Sequence, residues 1–256
     1  MRVTGDEIKD LLEQKYQLYN TPVFIEHDPI LIPHRFTRKE DIEIAGFLSA
    51  TIAWGNRVSI LKNAGQLMTL MEDSPFDFIS NHSEKDRHRF KKFVHRTFNG
   101  TDCMYFLRAL QHIYHRHGGL EQLFGLADPS LMVKDRISGF RKVFFELSHP
   151  MRTHKHVSDP EKRSGAKRIC MFLRWMVRKD KCGVDFGIWN NIAPSQLMMP
   201  LDVHTGNISR KLGILNRKQD DWQAVEELTT SLREFDPVDP VKYDFALFGM
   251  GVNNDL

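Results

Sequence analysis

The sequence predicts an all-α fold on three observations. Apolar residues recur at helical spacing in one segment after another, helix-start signals precede several of them, and extended candidates are confined to one stretch between prolines. Thr4-x-x-Glu7 stands ahead of Ile8, Leu11, Leu12, Tyr16 and Tyr19 in capping-box form, and Thr37-x-x-Glu40 stands the same way ahead of Ile44, Phe47, Leu48, Thr51 and Ile52. Between them, Pro22 to Pro33 sets Val23, Phe24, Ile30, Leu31 and Ile32 among prolines, which reads as a loop or a short strand. Further helices are expected over 58–71, 83–95, 102–117, 130–147, 165–180, 203–214, 221–234 and 240–250. Gly118-Gly119 closes the helix at 102–117, and Asp239-Pro240 opens the last one with a cap followed by proline at the first helical position. Ser148 to Ser164, polar and proline-containing, is the best loop candidate. With no internal repeat or linker, residues 1–256 are expected to form a single all-α domain, a multi-helix bundle that has one core or two helical lobes around a cleft.

Composition narrows the function classes. A chain of 256 residues that is 41% hydrophobic can bury a large core and does not resemble a disordered protein. Three scattered cysteines point to a reducing compartment, and Met1 to Glu7 has no apolar signal core, so a cytoplasmic location is expected. No apolar run approaches a membrane span, so no membrane partner is expected, and a monomer is the default state. A net charge of +3 with a pI near 8.7 permits nucleic-acid binding only through a local basic patch.

The candidate chemistry lies between Gly165 and Gly251. Lys167 heads a helix whose wheel returns Arg174 and Arg178 to within about 20° of it, while Ile169, Phe172, Leu173, Met176 and Val177 gather on another side. Crowding by like charges and partial burial at a helix start both favour a free amine, which is a nucleophile. A solvated or phosphate-binding basic stripe accounts for the same pattern. Asp202 follows Pro200 and precedes the amphipathic run Val203 to Leu215, so it reads as an N-cap, an ordinary structural device. The same place fixes an ionised carboxylate at the positive end of a helix, suited to stabilising a sugar cation or moving protons.

These residues resemble the helix-hairpin-helix DNA glycosylase superfamily, most closely its archaeal branch acting on oxidised guanine. The resemblance implies a lysine on the second hairpin helix that attacks the sugar, here Lys167 in Ser164-Gly165-Ala166-Lys167. It also implies an aspartate capping a later helix, here Asp202 in Pro200-Leu201-Asp202-Val203-His204, 35 residues further on. The Gly-x-Lys end of the family hairpin is retained, which makes Gly165 the position whose surroundings would present backbone amides to a phosphate. The positions before it read Asp159-Pro160-Glu161-Lys162-Arg163-Ser164 in place of the usual Leu-Pro-Gly-Val-Gly. Some members hold an iron–sulfur cluster; Cys103, Cys170 and Cys182 do not supply its four closely spaced ligands, and no cofactor is expected. The whole chain also resembles a bacterial domain family of unknown function and similar length, on Met171-Phe172-Leu173-Arg174-Trp175-Met176-Val177-Arg178 and Pro200-Leu201-Asp202-Val203-His204.

The remaining motifs carry less. His112, His115 and His117 share one helix and His149, His154 and His156 one loop, but no cysteine or recognised carboxylate joins them in sequence, so no metal site is expected. His27-Asp28 has the dipeptide of helical metal-dependent phosphohydrolases, yet Pro29 holds Asp28 out of helical geometry. Of Trp54, Trp175, Phe186 and Trp189, which could wall a base pocket, Trp189 is the best placed; aromatics at helical spacing are more often core.

The leading reading is a DNA repair N-glycosylase with abasic-site lyase activity. Lys167 and Asp202 are its catalytic residues, and Gly165, Arg174, Arg178 and His204 contact DNA, or RNA. The alternative is a catalytically silent nucleic-acid-binding protein on the same scaffold.

Overall fold

Helices take up most of the chain because the amphipathic segments are bounded by side-chain caps, prolines and glycines. The computed structural model describes residues 4–125 and 131–255, and within them twelve α-helices and one two-stranded hairpin. The fold class is therefore all-α. The chain divides into two compact units: one built from both ends, residues 4–24 and 159–255, the other from the uninterrupted stretch Ile25–Ser158.

In the first unit, α1 (Gly5–Tyr19) starts as expected, with Thr4 Oγ1 accepting from the Glu7 amide and the Glu7 carboxylate accepting from the Thr4 amide. It packs along α12 (Tyr243–Asn253), and Gly249 permits the close approach, since a Cβ there would lie 2.2 Å from Cδ2 of Tyr19. Between them in sequence come α9 (Lys167–Val177), α10 (Val203–Lys211) and α11 (Trp222–Phe235). The helix expected over 165–180 is shorter at both ends. Ala166 takes the left-handed conformation and Arg178 is extended (φ −70°, ψ 128°). The expected loop Ser148 to Ser164, directly ahead of α9, contains no α-helix; Met151–His156 and Pro160–Lys162 form 3₁₀ turns within it. At the last helix Pro240 opens a 3₁₀ turn, Pro240–Lys242, and the Asp239 carboxylate turns to Arg178 instead of capping.

In the second unit, α2 (Lys39–Thr51) begins later than its sequence signal. Arg38 occupies the N-cap, and its guanidinium holds the Glu40 carboxylate, so the expected capping box at Thr37 does not form. Pro22 to Pro33 contains no strand. Its prolines each open a 3₁₀ turn, Pro22–His27, Pro29–Leu31 and Pro33–Arg35, the second capped by Asp28 with extended backbone. α3 (Arg57–Leu70) and α6 (Gly100–Arg116) match expectation, and Gly118 and Gly119 follow α6 at positive φ. Two short helices, α4 (Pro75–Asn81) and α7 (Leu120–Gly125), were not foreseen.

The helix expected over 83–95 stops after α5 (Glu84–Arg87) and a 3₁₀ turn. Phe90, Phe93 and Phe98 are all buried around this break. The chain instead enters β1 (Val94–His95), which pairs antiparallel with β2 (Phe98–Asn99). α8 spans Val133–Phe144; Ser130, where that helix was expected to begin, lies outside the described residues. The core of this unit is aromatic: Phe106 meets Phe47 at 6.0 Å and Phe144 at 4.8 Å between ring centroids, and Phe124 stacks on Phe140 at 4.4 Å. No described helix is long and apolar enough to cross a membrane.

Candidate functional site

Two helix starts in the first unit place the sequence-predicted pair together. Lys167 is the first residue of α9, preceded by Ala166 at φ 46°, ψ 29° and 2% exposed, so a buried left-handed residue directs the lysine away from the core. Asp202 is the N-cap of α10, its Oδ1 accepting from the Thr205 amide at 2.9 Å. The Lys167 Nζ to Asp202 Oδ2 distance is 2.9 Å, with the side chains 33% and 15% exposed. Burial works against the Asp202 charge. The Lys167 charge and the Thr205 amide outweigh it, and hold the carboxyl below its ordinary range.

A third acid, not singled out from the sequence as a site residue, joins the pair. Asp244 sits in the first turn of α12, its carboxylate bonded to Arg174 of α9, and its Oδ1 accepts from Thr205 Oγ1 of α10 at 3.5 Å. Burial lifts its carboxyl to about 6; Arg174 opposes this, and the Asp202 charge adds to it. Asp244 thus ties α12 to the two helices whose first turns carry Lys167 and Asp202. The signal was present in the sequence, because Asp244 is the single acid in the otherwise apolar run Tyr243 to Met250.

The expected basic stripe does not exist. Arg174 and Arg178 are 3% and 1% exposed, and each is enclosed by carboxylates. Arg174 meets Asp185 at 3.3 Å and Asp244; Arg178 meets Asp180 at 2.6 Å, Asp185 at 3.1 Å and Asp239 at 2.8 Å, and also donates to the Tyr16 hydroxyl. Their place as phosphate contacts is corrected by that burial. It also removes the premise of like-charge crowding around Lys167, since both guanidiniums are neutralised within the fold.

Gly165 is half-buried, and a Cβ there would lie 3.0 Å from the Asp220 carbonyl oxygen. The Trp222 amide donates to the Arg163 carbonyl at 3.2 Å, so this stretch pairs with the start of α11, and the glycine serves that close approach. His204 is exposed, its Nδ1 3.2 Å from the Gly251 carbonyl and its ring edge-on to Phe248. Trp189 is 2% exposed and meets Phe172 edge-on at 5.4 Å, so it is core, the commoner case for such aromatics, as is Trp175. Trp54, in the second unit, is half-buried and stacks over His156; Phe186 is half-buried.

One residue set in the second unit has the spacing of metal ligands. His112 Nε2 and His117 Nε2 lie 3.0 and 3.8 Å from Glu146 Oε2. Glu146, from beyond α8, is a carboxylate that was not recognised in sequence, and His117, not His115, stands beside His112. Arg108 and Arg116 line a depression together with His112, and their charge opposes a divalent cation there.

The family model described as "Protein of unknown function (DUF2400)" matches residues 28–253. The chain belongs to this family. The match spans both units and takes in Lys167, Asp202 and Asp244, so the site lies inside the region that defines DUF2400. No curated protein and no solved structure matches the chain.

Proposed function

We propose that this DUF2400 protein is a DNA repair N-glycosylase with abasic-site lyase activity, in which Lys167 is the nucleophile and Asp202 its proton partner. The observation that carries the reading is the 2.9 Å contact between Nζ and Oδ2, made by two partly exposed side chains at the first turns of different helices. The sequence resemblance of Ser164–Lys167 and Pro200–His204 to glycosylase segments supports the same chemistry, while 3₁₀ turns stand where the first hairpin helix would be.

At rest the amine is paired with the carboxylate. Attack requires that the ammonium first give a proton to Asp202, after which the nitrogen lone pair forms a bond to C1′ of the damaged nucleotide. The C1′–N bond to the base breaks, its electron pair leaves with the base, and the proton held by Asp202 neutralises the departing base. Loss of a further proton from nitrogen and opening of the C1′–O4′ bond, with that oxygen protonated, leave a Schiff base between Lys167 and the sugar. Proton loss from C2′ then expels the 3′ phosphate and cuts the strand. Asp244 takes no part in bond making. It is a positioning residue, holding α9 and α10 through Arg174 and Thr205.

The silent-binder alternative drew on the basic face of α9, and the burial of Arg174 and Arg178 takes that face away. The test is incubation with duplexes carrying an abasic or an oxidised-guanine site, followed by borohydride. A covalent adduct that Lys167→Ala abolishes is expected. Absence of an adduct with wild-type protein and every such duplex would sink the proposal, and an adduct that persists in Lys167→Ala would move the nucleophile elsewhere.

A further inference from the structure

Several arginines in this chain are met by carboxylates. Arg35, Arg38, Arg89, Arg152, Arg210 and Arg217 each have an acid within 4.0 Å, as do the buried Arg174 and Arg178. Arg87 of α5 and Arg108 and Arg116 of α6 form no ion pair among the described residues, yet they converge. With Gln111, His112 and His115 they line a depression of about 290 Å³, and Arg87 and Arg108 also line an adjoining one of about 490 Å³.

The cluster brings like charges together around Arg87. Burial, then the charge of Arg108, presses the Arg87 guanidinium below its ordinary range, with Glu84 and Asp86 offsetting part of this. Arg87 Nη1 lies 3.1 Å from His82 Nδ1, which holds the side chain in place without neutralising it. Glu146 is engaged by His112 and His117, and Glu84 lines only the adjoining depression. Arg108, His112, His115 and Arg116 follow the spacing i, i+4, i+7, i+8, so they form one stripe along about 12 Å of helix. Such a row is longer than a single phosphate, and a guanidinium fork matches the oxygens of a phosphate group.

We infer that this stripe binds the phosphodiester backbone of a nucleic acid. The assignment rests on the reading of the protein as acting on DNA, and it supplies the basic surface that α9 does not. Titrating a short labelled undamaged duplex at several salt concentrations tests it, with pyrophosphate as the small-anion probe. In the double variant R108A and R116A, duplex affinity should fall and the slope of log K against log salt should flatten by about 2, from roughly 0.9 per lost phosphate contact. The variant R108K with R116K should keep the slope and lose part of the affinity, since a point charge remains and the fork is gone. An unchanged slope and affinity in the alanine variant, with its circular dichroism intact, would overturn the inference. So would tight pyrophosphate binding that needs these arginines while duplex binding does not, which would make the ligand a small phosphate compound. A wild-type protein that binds duplex through these arginines but yields no borohydride adduct would keep this site and remove the lyase reading.

Discussion

Arg178 in one unit and Arg108 in the other show how differently one side chain can be used. Arg178 is 1% exposed and surrounded by Asp180, Asp185 and Asp239, whereas Arg108 is exposed, faces Arg87 and has no carboxylate within ion-pair distance among the described residues. The first is a structural strut, because four charges are buried together and each depends on the others. The second is an exposed charge that no carboxylate of the described fold neutralises, and the nucleic-acid proposal turns on it. The residue type does not separate the two cases; the acids around each do.

The contrast is broken most severely at Arg178. Arg178→Ala should destabilise the protein by about 3–5 kcal/mol, because it leaves buried carboxylates uncompensated. A urea denaturation midpoint close to wild type would show that water reaches these acids.

Acidity probes the same cluster from the other side. Asp244 has its folded value raised to about 6, so its contribution to stability is present at low pH and is lost as pH rises through 6. Asp202 runs the opposite way: its folded value is lowered, and its contribution is lost as pH falls below the ordinary carboxylate range. Between about pH 4 and 6 the stability of wild type relative to Asp244→Asn should therefore decrease as pH rises, by at most about 1.4 kcal/mol per pH unit. Parallel stability curves for the two proteins would contradict the assignment.

Lys167→Ala should cost no more than about 1 kcal/mol, as a partly exposed pair. Loss of the borohydride adduct in that variant, checked against an unchanged thermal midpoint, then reports on chemistry and not on unfolding. Smallest of all is Arg108→Ala, expected within about 0.5 kcal/mol of wild type or slightly more stable, since it relieves repulsion of Arg87. A large destabilisation there would make Arg108 a strut like Arg178.

Much of this was legible in the sequence, and the failures have physical reasons. Thr4 and Glu7 formed the capping box their spacing promised, while the identical pattern at Thr37 failed because Arg38 competes for Glu40. α4 and α7 are too short to show a helical period, although Ser74-Pro75 has the form of a cap followed by proline. Proline spacing marked Pro22 to Pro33 as irregular without revealing 3₁₀ turns. Lys167 and Asp202 were legible because each stands at a helix start, where sequence signals are strongest. The fate of Arg174 was not, because a helical wheel counts cations on a face and cannot see Asp185 and Asp244 arriving from other segments.

The division of the chain also fixes an order of events during synthesis. Helix α1 leaves the ribosome before residues 25–158, and α12, along which it packs, leaves after them. The inserted unit can assemble from one uninterrupted stretch while the first helix still has no partner. Bringing α1 and α12 together closes a loop that holds the whole inserted unit, a larger entropic cost than any contact within residues 25–158 carries.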